Sequence, residues 1–429
     1  MIRLPKKEVI YVCATLLALA AILLMAAGRS SRQSREEPTP GVNGWITNAL
    51  SDTADLAGLD KKVRRYMQEW QIRGLSLSVM RNDSLLYAKC YGWADEEKQE
   101  KMEPYHLLRI ASVSKLITAA GIMRLQEEGK LSLQDTVFGE RGILPEYSEV
   151  IRDKNYYRIT VEDLLRHKAG FKVRGGDPMF STRSLMRQYG LDTPPDADQL
   201  LRIVLKRPLG FLPGTSQAYS NLGFLILSLV IERVSGQSYA DFIQEQVLQP
   251  AGCRDFHIAG NYPQDRHPHE VHYYVPVNEL PVPEFNNSGD TVERCYGGNN
   301  IPALLGAGAW VASTPEVARF VASIDARGTL PDIIGSDSVE EMVEYFDKET
   351  YSLGWNDTEP ESGWTRSGTF SGTSALVKYF PDGECWVLVT NTSTWKGPGL
   401  SRYTAGLFRT LREQYSDKFP ARDLFEQPQ

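Results

Sequence analysis

Strand-forming segments stand near both ends of this chain, and helix-forming segments lie between them. This arrangement constrains the fold more than any other feature. Gly74-Leu75-Ser76-Leu77-Ser78-Val79-Met80 alternates with period two, and Arg81-Asn82-Asp83 makes a turn. Ser84-Leu85-Leu86-Tyr87-Ala88-Lys89-Cys90 reads as the return strand. Far downstream, Ser374–Phe380 and Glu384–Val389 flank Pro381-Asp382-Gly383, a hairpin pattern. Residues 113–128 read as a helix, with Ile117, Gly121 and Leu125 on one side and Gly129 at its C-cap. Residues 220–234, closed by Gly236, and residues 400–414 read the same way. A sheet drawn from both ends with helices inserted between them predicts an α/β (α+β) fold. A helical lobe goes with that sheet.

The chain has 429 residues, enough for a large core. Its net charge of −7 argues against a nucleic-acid surface. The absence of a GxxxxGK[ST] segment argues against an NTPase. Arg3, Lys6 and Lys7 precede an uncharged run from Val9 to Ala27. Residues 1–28 therefore read as a signal peptide or a membrane anchor. The length of the run favours an anchor, whereas Ala26 and Gly28 offer a small-x-small cleavage site. Either way the expectation is export, with the domain in the periplasm or at the cell exterior. Residues 29–55 read as a polar linker, 56–415 as one catalytic domain and 416–429 as a tail. Cys90, Cys253, Cys295 and Cys385 allow three disulfide pairings in an oxidising compartment, or four small buried hydrophobes.

Ser112-Val113-Ser114-Lys115 has the S-x-x-K spacing, which places the serine hydroxyl and the lysine amine on one helix face. A lysine whose pKa is lowered by burial can take the serine proton. The spacing alone singles out nothing, because Ser393-Thr394-Trp395-Lys396 repeats it in a Gly-Pro-Gly loop. A serine at a helix start is also an ordinary N-cap.

Context separates the two copies. Arg109–Lys115 resembles the nucleophile segment of the serine β-lactamase and penicillin-binding-protein superfamily. It is most similar to the branch of class C β-lactamases, D-alanyl-D-alanine carboxypeptidases and related esterases. Thr160–Gly170 resembles the family's LLTHTSG segment, and Pro213–Asn221 its PG-x-x-x-x-Y-S-N segment. Gly306–Thr314 resembles GGL-x-S-T, and Trp364–Thr369 stands where a K-T-G or H-x-G strand belongs. The resemblance implies a β-lactamase/transpeptidase-like fold, an antiparallel sheet sandwiched by helices with an associated all-helical lobe, and a two-step acyl transfer. Ser112 would be the nucleophile, with Lys115 and Tyr219 as proton handlers. Asn221, Arg366, Ser367, Gly368 and Thr369 would bind substrate, with the backbone N–H groups of Ser112 and Thr369 as oxyanion donors. No metal or organic cofactor is implied. Compatible substrates are D-Ala-D-Ala peptides of peptidoglycan, β-lactams, other D-amino-acid peptides and simple esters, with a D-amino-acid peptidase or esterase as the expected activity.

Several residues depart from the pattern. Arg366 replaces a Lys or His, so its role there is electrostatic, for example as a bidentate clamp on a substrate carboxylate. Ala169 and Ala307 replace a Ser and a Gly, and the segment after Gly368 is one residue short. His167 reads as structural. His267-Pro268-His269-Glu270-Val271-His272 mimics a dinuclear zinc motif, but Val271 stands where an Asp ligand belongs, and an exposed turn is the better reading. The competing functions are a non-hydrolysing penicillin or peptidoglycan sensor and a class C-type β-lactamase.

Overall fold

The computed structural model describes residues 41–171, 176–327 and 330–426. One six-stranded antiparallel sheet takes strands from both ends of the chain. β1 (Gly74–Arg81), β2 (Ser84–Asp95) and the short β3 (Glu100–Lys101) come from the first end. β4 (Trp364–Phe370), β5 (Thr373–Tyr379) and β6 (Glu384–Thr390) come from the second. The order is β3-β2-β1-β6-β5-β4, so β1 against β6 joins the halves, with Leu77 opposite Leu388. Asn82 and Asp83 take φ of 47° and 63° in the β1–β2 turn, the left-handed geometry that such a tight hairpin needs.

The helices that bear on the site are α1 (Ala57–Trp70), α2 (Ser114–Glu127), α3 (Val161–Leu165), α4 (Asn221–Ser235), α5 (Thr314–Ala322) and α6 (Leu400–Tyr415). Period-two alternation sends Leu75, Leu77 and Val79 to one face of the sheet, where they meet Leu59 and Val63 of α1 and Phe408 and Leu411 of α6. The other face is buried as well. There Ser76 and Ser78 each place a hydroxyl 2.7 Å from Oγ1 of Thr314 on α5, which satisfies polar groups that burial would otherwise leave unpaired. Behind α5 lies the main core, built on α2 and α4. α4 is capped by Ser220, whose Oγ accepts from Gly223 N–H at 3.2 Å, and it ends at Gly236 with φ of 74°. With α3 and the helices Thr182–Tyr189 and Ala197–Val204 it forms the helical lobe.

The expected boundaries move outward. Residues 41–55 belong to the same compact unit as the sheet, so they are not linker. Ile46 is fully buried against Leu85, Ala88 and Leu424, and Asn43 donates to the buried Glu316 carboxylate at 2.7 Å. Residues 416–426 are not a free tail either. Phe419 packs on Tyr87 and Trp386, and Leu424 N–H donates to Leu85 O at 2.9 Å. A chain ending at Tyr415 is expected to lose about 3–5 kcal/mol, the burial of Phe419 and Leu424 with their cavities. Urea unfolding measures it, and an unchanged midpoint would show that the segment contributes nothing.

The apolar run Val9–Ala27 lies outside the described residues. Among the described residues no helix is long and apolar enough to cross a membrane. Cys90, Cys253, Cys295 and Cys385 are each free and buried, the small-hydrophobe alternative.

Candidate active site

The site forms where α2 begins, between β4 and the loop entering α4. Ser112 sits in a single 3₁₀ turn, Ala111–Val113, that runs directly into α2. Ala111 has φ of 49°, a strained conformation for a residue with a Cβ, immediately before the serine. The Ser112 hydroxyl does not cap the helix. Instead it accepts from Lys115 Nζ at 3.2 Å and from the Tyr219 phenol at 2.8 Å.

Lys115 is 0% exposed. Its Nζ also donates to Asn221 Oδ1 at 2.8 Å and to the Ala307 carbonyl at 2.5 Å. Burial lowers its pKa, Tyr219 opposes this and Arg366 adds to it, leaving the amine at about 8. For Tyr219, burial pushes the phenol up, but the cations of Lys115 and Arg366 outweigh it and bring it down to about 8. The two groups share one proton economy near neutral pH. An amine and a phenol so placed can each receive the serine proton.

Arg366 is also fully buried. Its Nε donates to the Ser112 carbonyl at 2.7 Å and its Nη2 to the Tyr219 oxygen at 3.1 Å. This corrects the bidentate substrate clamp, because the guanidinium fork is turned inward and spent on the site itself. Nη1 is buried too, and among the described residues it has no hydrogen-bond partner. Ser367 donates from both N–H and Oγ to Asn356 Oδ1, at 2.7 and 3.1 Å. A Cβ on Gly368 would fall 2.5 Å from Ile110 O and 2.8 Å from Ser112 N, so only glycine lets β4 lie against the serine turn. Thr369 lines an open groove of about 760 Å³ with Phe180, Phe370 and Trp395. A second cavity of about 390 Å³ lies beside Tyr219 and Asp177.

Ser112, Lys115, Tyr219, Asn221 and Arg366 therefore converge, although Arg366 is separated from Ser112 by 254 positions. His167 packs against Tyr219 with the rings tilted by 39° and their centroids 4.4 Å apart, and it accepts from Ser220 N–H through Nδ1 at 3.2 Å. Burial, then Lys115 and Arg366, hold its pKa well below the usual range, so it packs as a neutral ring. The second S-x-x-K copy forms no such pair, since Lys396 lies over the Trp395 and Tyr403 rings. The loop histidines are separately engaged. His267 bonds Ile258 O, His269 packs on Tyr105, and His272 packs against Tyr274 and Tyr296. Sequence reasoning missed Asp177, Asn356 and the Ala307 carbonyl. Asp177-Pro178 carries a turn signal, but nothing in it points to α4; a backbone carbonyl carries no signal at all.

The fold is thus an antiparallel sheet between helices, in which a buried lysine and a tyrosine close on a serine. The chain belongs to the Beta-lactamase family, whose model matches residues 59–408. It is similar to esterase EstB of Burkholderia gladioli, 29% identical over 71% of this chain and 79% of that protein. It is also similar to penicillin-binding protein 4* of Bacillus subtilis, 30% identical over 76% of this chain and 69% of that one. Among solved structures it shares its fold with EstCE1, a hydrolase with promiscuous acyltransferase activity. That match has a TM-score of 0.64 and 21% identity, and covers 83% of this chain and 98% of that one. The chain is a serine hydrolase.

Proposed function

We propose that the chain is an exported acyl-hydrolase in which Ser112 forms an acyl-enzyme with an ester or D-amino-acid amide carbonyl. The observation that carries this reading is the convergence of Lys115 Nζ and the Tyr219 phenol on the Ser112 hydroxyl, at 3.2 and 2.8 Å. The Ser112 proton passes to the Lys115–Tyr219 pair as Oγ attacks the carbonyl carbon. The N–H groups of Ser112 and Thr369 hold the oxyanion. The intermediate collapses, the leaving group departs with a proton from Tyr219, and water then attacks the acyl-serine and releases the acid. Arg366, spent on Ser112 and Tyr219, favours substrates that do not depend on a bidentate carboxylate clamp. EstB, named an esterase, supports the ester reading. The run Val9–Ala27 supports export, with an anchor or a cleaved signal distinguished by the N-terminal sequence of the cell-associated protein.

Intact mass after exposure to a fluorophosphonate, and separately to a penicillin, tests the assignment. A stoichiometric adduct mapped to Ser112 supports it, and an unlabelled Ser112 sinks it. A penicillin adduct that never turns over, with no hydrolysis of p-nitrophenyl esters, would favour the sensor reading.

The rate should rise with pH through about 8, because only the deprotonated pair can accept the serine proton. Arg366 lowers the proton affinity of both groups. Arg366→Met should therefore move this limb to higher pH and cut kcat/KM at pH 7 by about 10²-fold. A pH–rate profile reads both effects, and a limb left in place by the substitution would contradict the electrostatic role.

A further inference from the structure

We propose that Asp177 is a positioning residue: its carboxylate holds the side-chain amide of Asn221 so that Oδ1, not Nδ2, faces Lys115, and this aims the lysine at Ser112. The inference rests on the Ser112–Lys115 reading above.

A primary amide has one accepting end and one donating end. Asn221 serves Lys115 only with its oxygen turned inward, as it is, at 2.8 Å from Nζ. A flipped amide would set two donors against each other. A carboxylate accepts and never donates, so it can hold only the Nδ2 end. Asp177 Oδ2 does this at 3.1 Å, and the same oxygen accepts from Asn221 N–H at 2.8 Å. Asn221 is the first residue of α4, so the carboxylate also sits at the positive end of that helix. The other oxygen, Oδ1, is anchored in Asp177's own turn, accepting from Met179 N–H at 3.0 Å as the cap of Pro178–Phe180. With both oxygens engaged, the carboxylate is fixed in place.

The turn that carries Asp177 also shapes the entrance. Phe180 N–H and Ser181 Oγ both donate to Asp177 O at 3.0 Å, closing the turn over Pro178. Phe180 then meets Phe370 of β4 edge-on, with ring centroids 6.1 Å apart. Asp177 and Pro178 line the cavity beside Tyr219, whereas Phe180 lines the groove beside Thr369. One short turn thus separates the two spaces that flank the reacting bond and holds the amide that orients the base. The titratable and charged groups facing Lys115 are Tyr219 ahead of α4, Arg366 on β4, His167 after α3 and Asp177 itself. Asp177 supports the charged form of the lysine.

The test is a double-mutant cycle on the full chain with Asp177→Asn, Asn221→Ala and the pair, read as kcat, KM and pH profile on a p-nitrophenyl ester. Asp177→Asn keeps the shape but turns a donor toward Asn221 or Met179. Its kcat should fall about 10- to 100-fold with KM nearly unchanged, as expected for a misaimed base. In the Asn221→Ala background the same substitution should cost almost nothing further. Loss of the carboxylate should also move the acid limb to lower pH, which a merely structural defect would not do. Multiplying effects in the double variant, or wild-type kcat in Asp177→Asn, overturn the proposal. Asp177→Ser enters the same cycle if the asparagine variant does not fold. Fluorophosphonate labelling separates the two failures. An unlabelled wild-type Ser112 overturns the nucleophile assignment and this inference with it, whereas normal labelling with multiplying effects overturns this inference alone.

Discussion

Replacing Ser112 with alanine is expected to abolish turnover, by about 10⁴-fold or more, and to leave the fold intact. The structure gives a reason for both halves. The hydroxyl is the one atom on which the lysine amine and the tyrosine phenol both close. Without it the proposed acyl-enzyme has no oxygen to form on. Neither neighbour is orphaned by the loss, since Lys115 keeps Asn221 Oδ1 and the Ala307 carbonyl, and Tyr219 keeps Arg366. Stability should therefore change by no more than about 1 kcal/mol. Steady-state hydrolysis and thermal unfolding check the two halves, and retained activity in a folded variant would move the nucleophile elsewhere.

Lys115→Met is the second large effect. The methionine fills nearly the same volume but cannot take a proton, so the rate should fall about 10³-fold or more. The rise in rate through about pH 8 should flatten, because the amine that titrates there is gone. Two opposing terms govern stability. Asn221 Oδ1 and the Ala307 carbonyl lose a donor, at a cost of about 1–3 kcal/mol each. Against this, a lysine that is 0% exposed no longer has to be held in the core. The melting temperature should thus move far less than the rate. A slow variant that keeps a rising limb, moved to higher pH because Tyr219 has lost the Lys115 cation, would show that Tyr219 alone is the base, with the lysine only holding it in place.

Local elements were legible because their causes are local. Period-two alternation and the Asn82-Asp83 turn specify the first hairpin, and Pro381-Asp382-Gly383 specifies the last. Helices expected at 113–128, 220–234 and 400–414 are found at Ser114–Glu127, Asn221–Ser235 and Leu400–Tyr415. The segments 41–55 and 416–426 were misjudged for the opposite reason. They are short and mostly polar, and Trp45, Ile46, Phe419 and Leu424 acquire partners only once β2 and β6 have formed.

By itself the sequence determined the fold class, the first and last hairpins, the helices at 113–128, 220–234 and 400–414, and which serine starts a helix with a lysine one turn on. Periodicity and turn chemistry act over a few residues, and those residues lie side by side in the chain. Only the tertiary structure decided what Arg366 does. A strand pattern says that a side chain lies on one face or the other, but not that Ser112 O and Tyr219, 254 and 147 positions away, will meet its guanidinium. The same is true of Asp177. Its bond to Asn221 spans 44 positions, and the orientation of an amide is settled by whatever the fold brings to each of its ends.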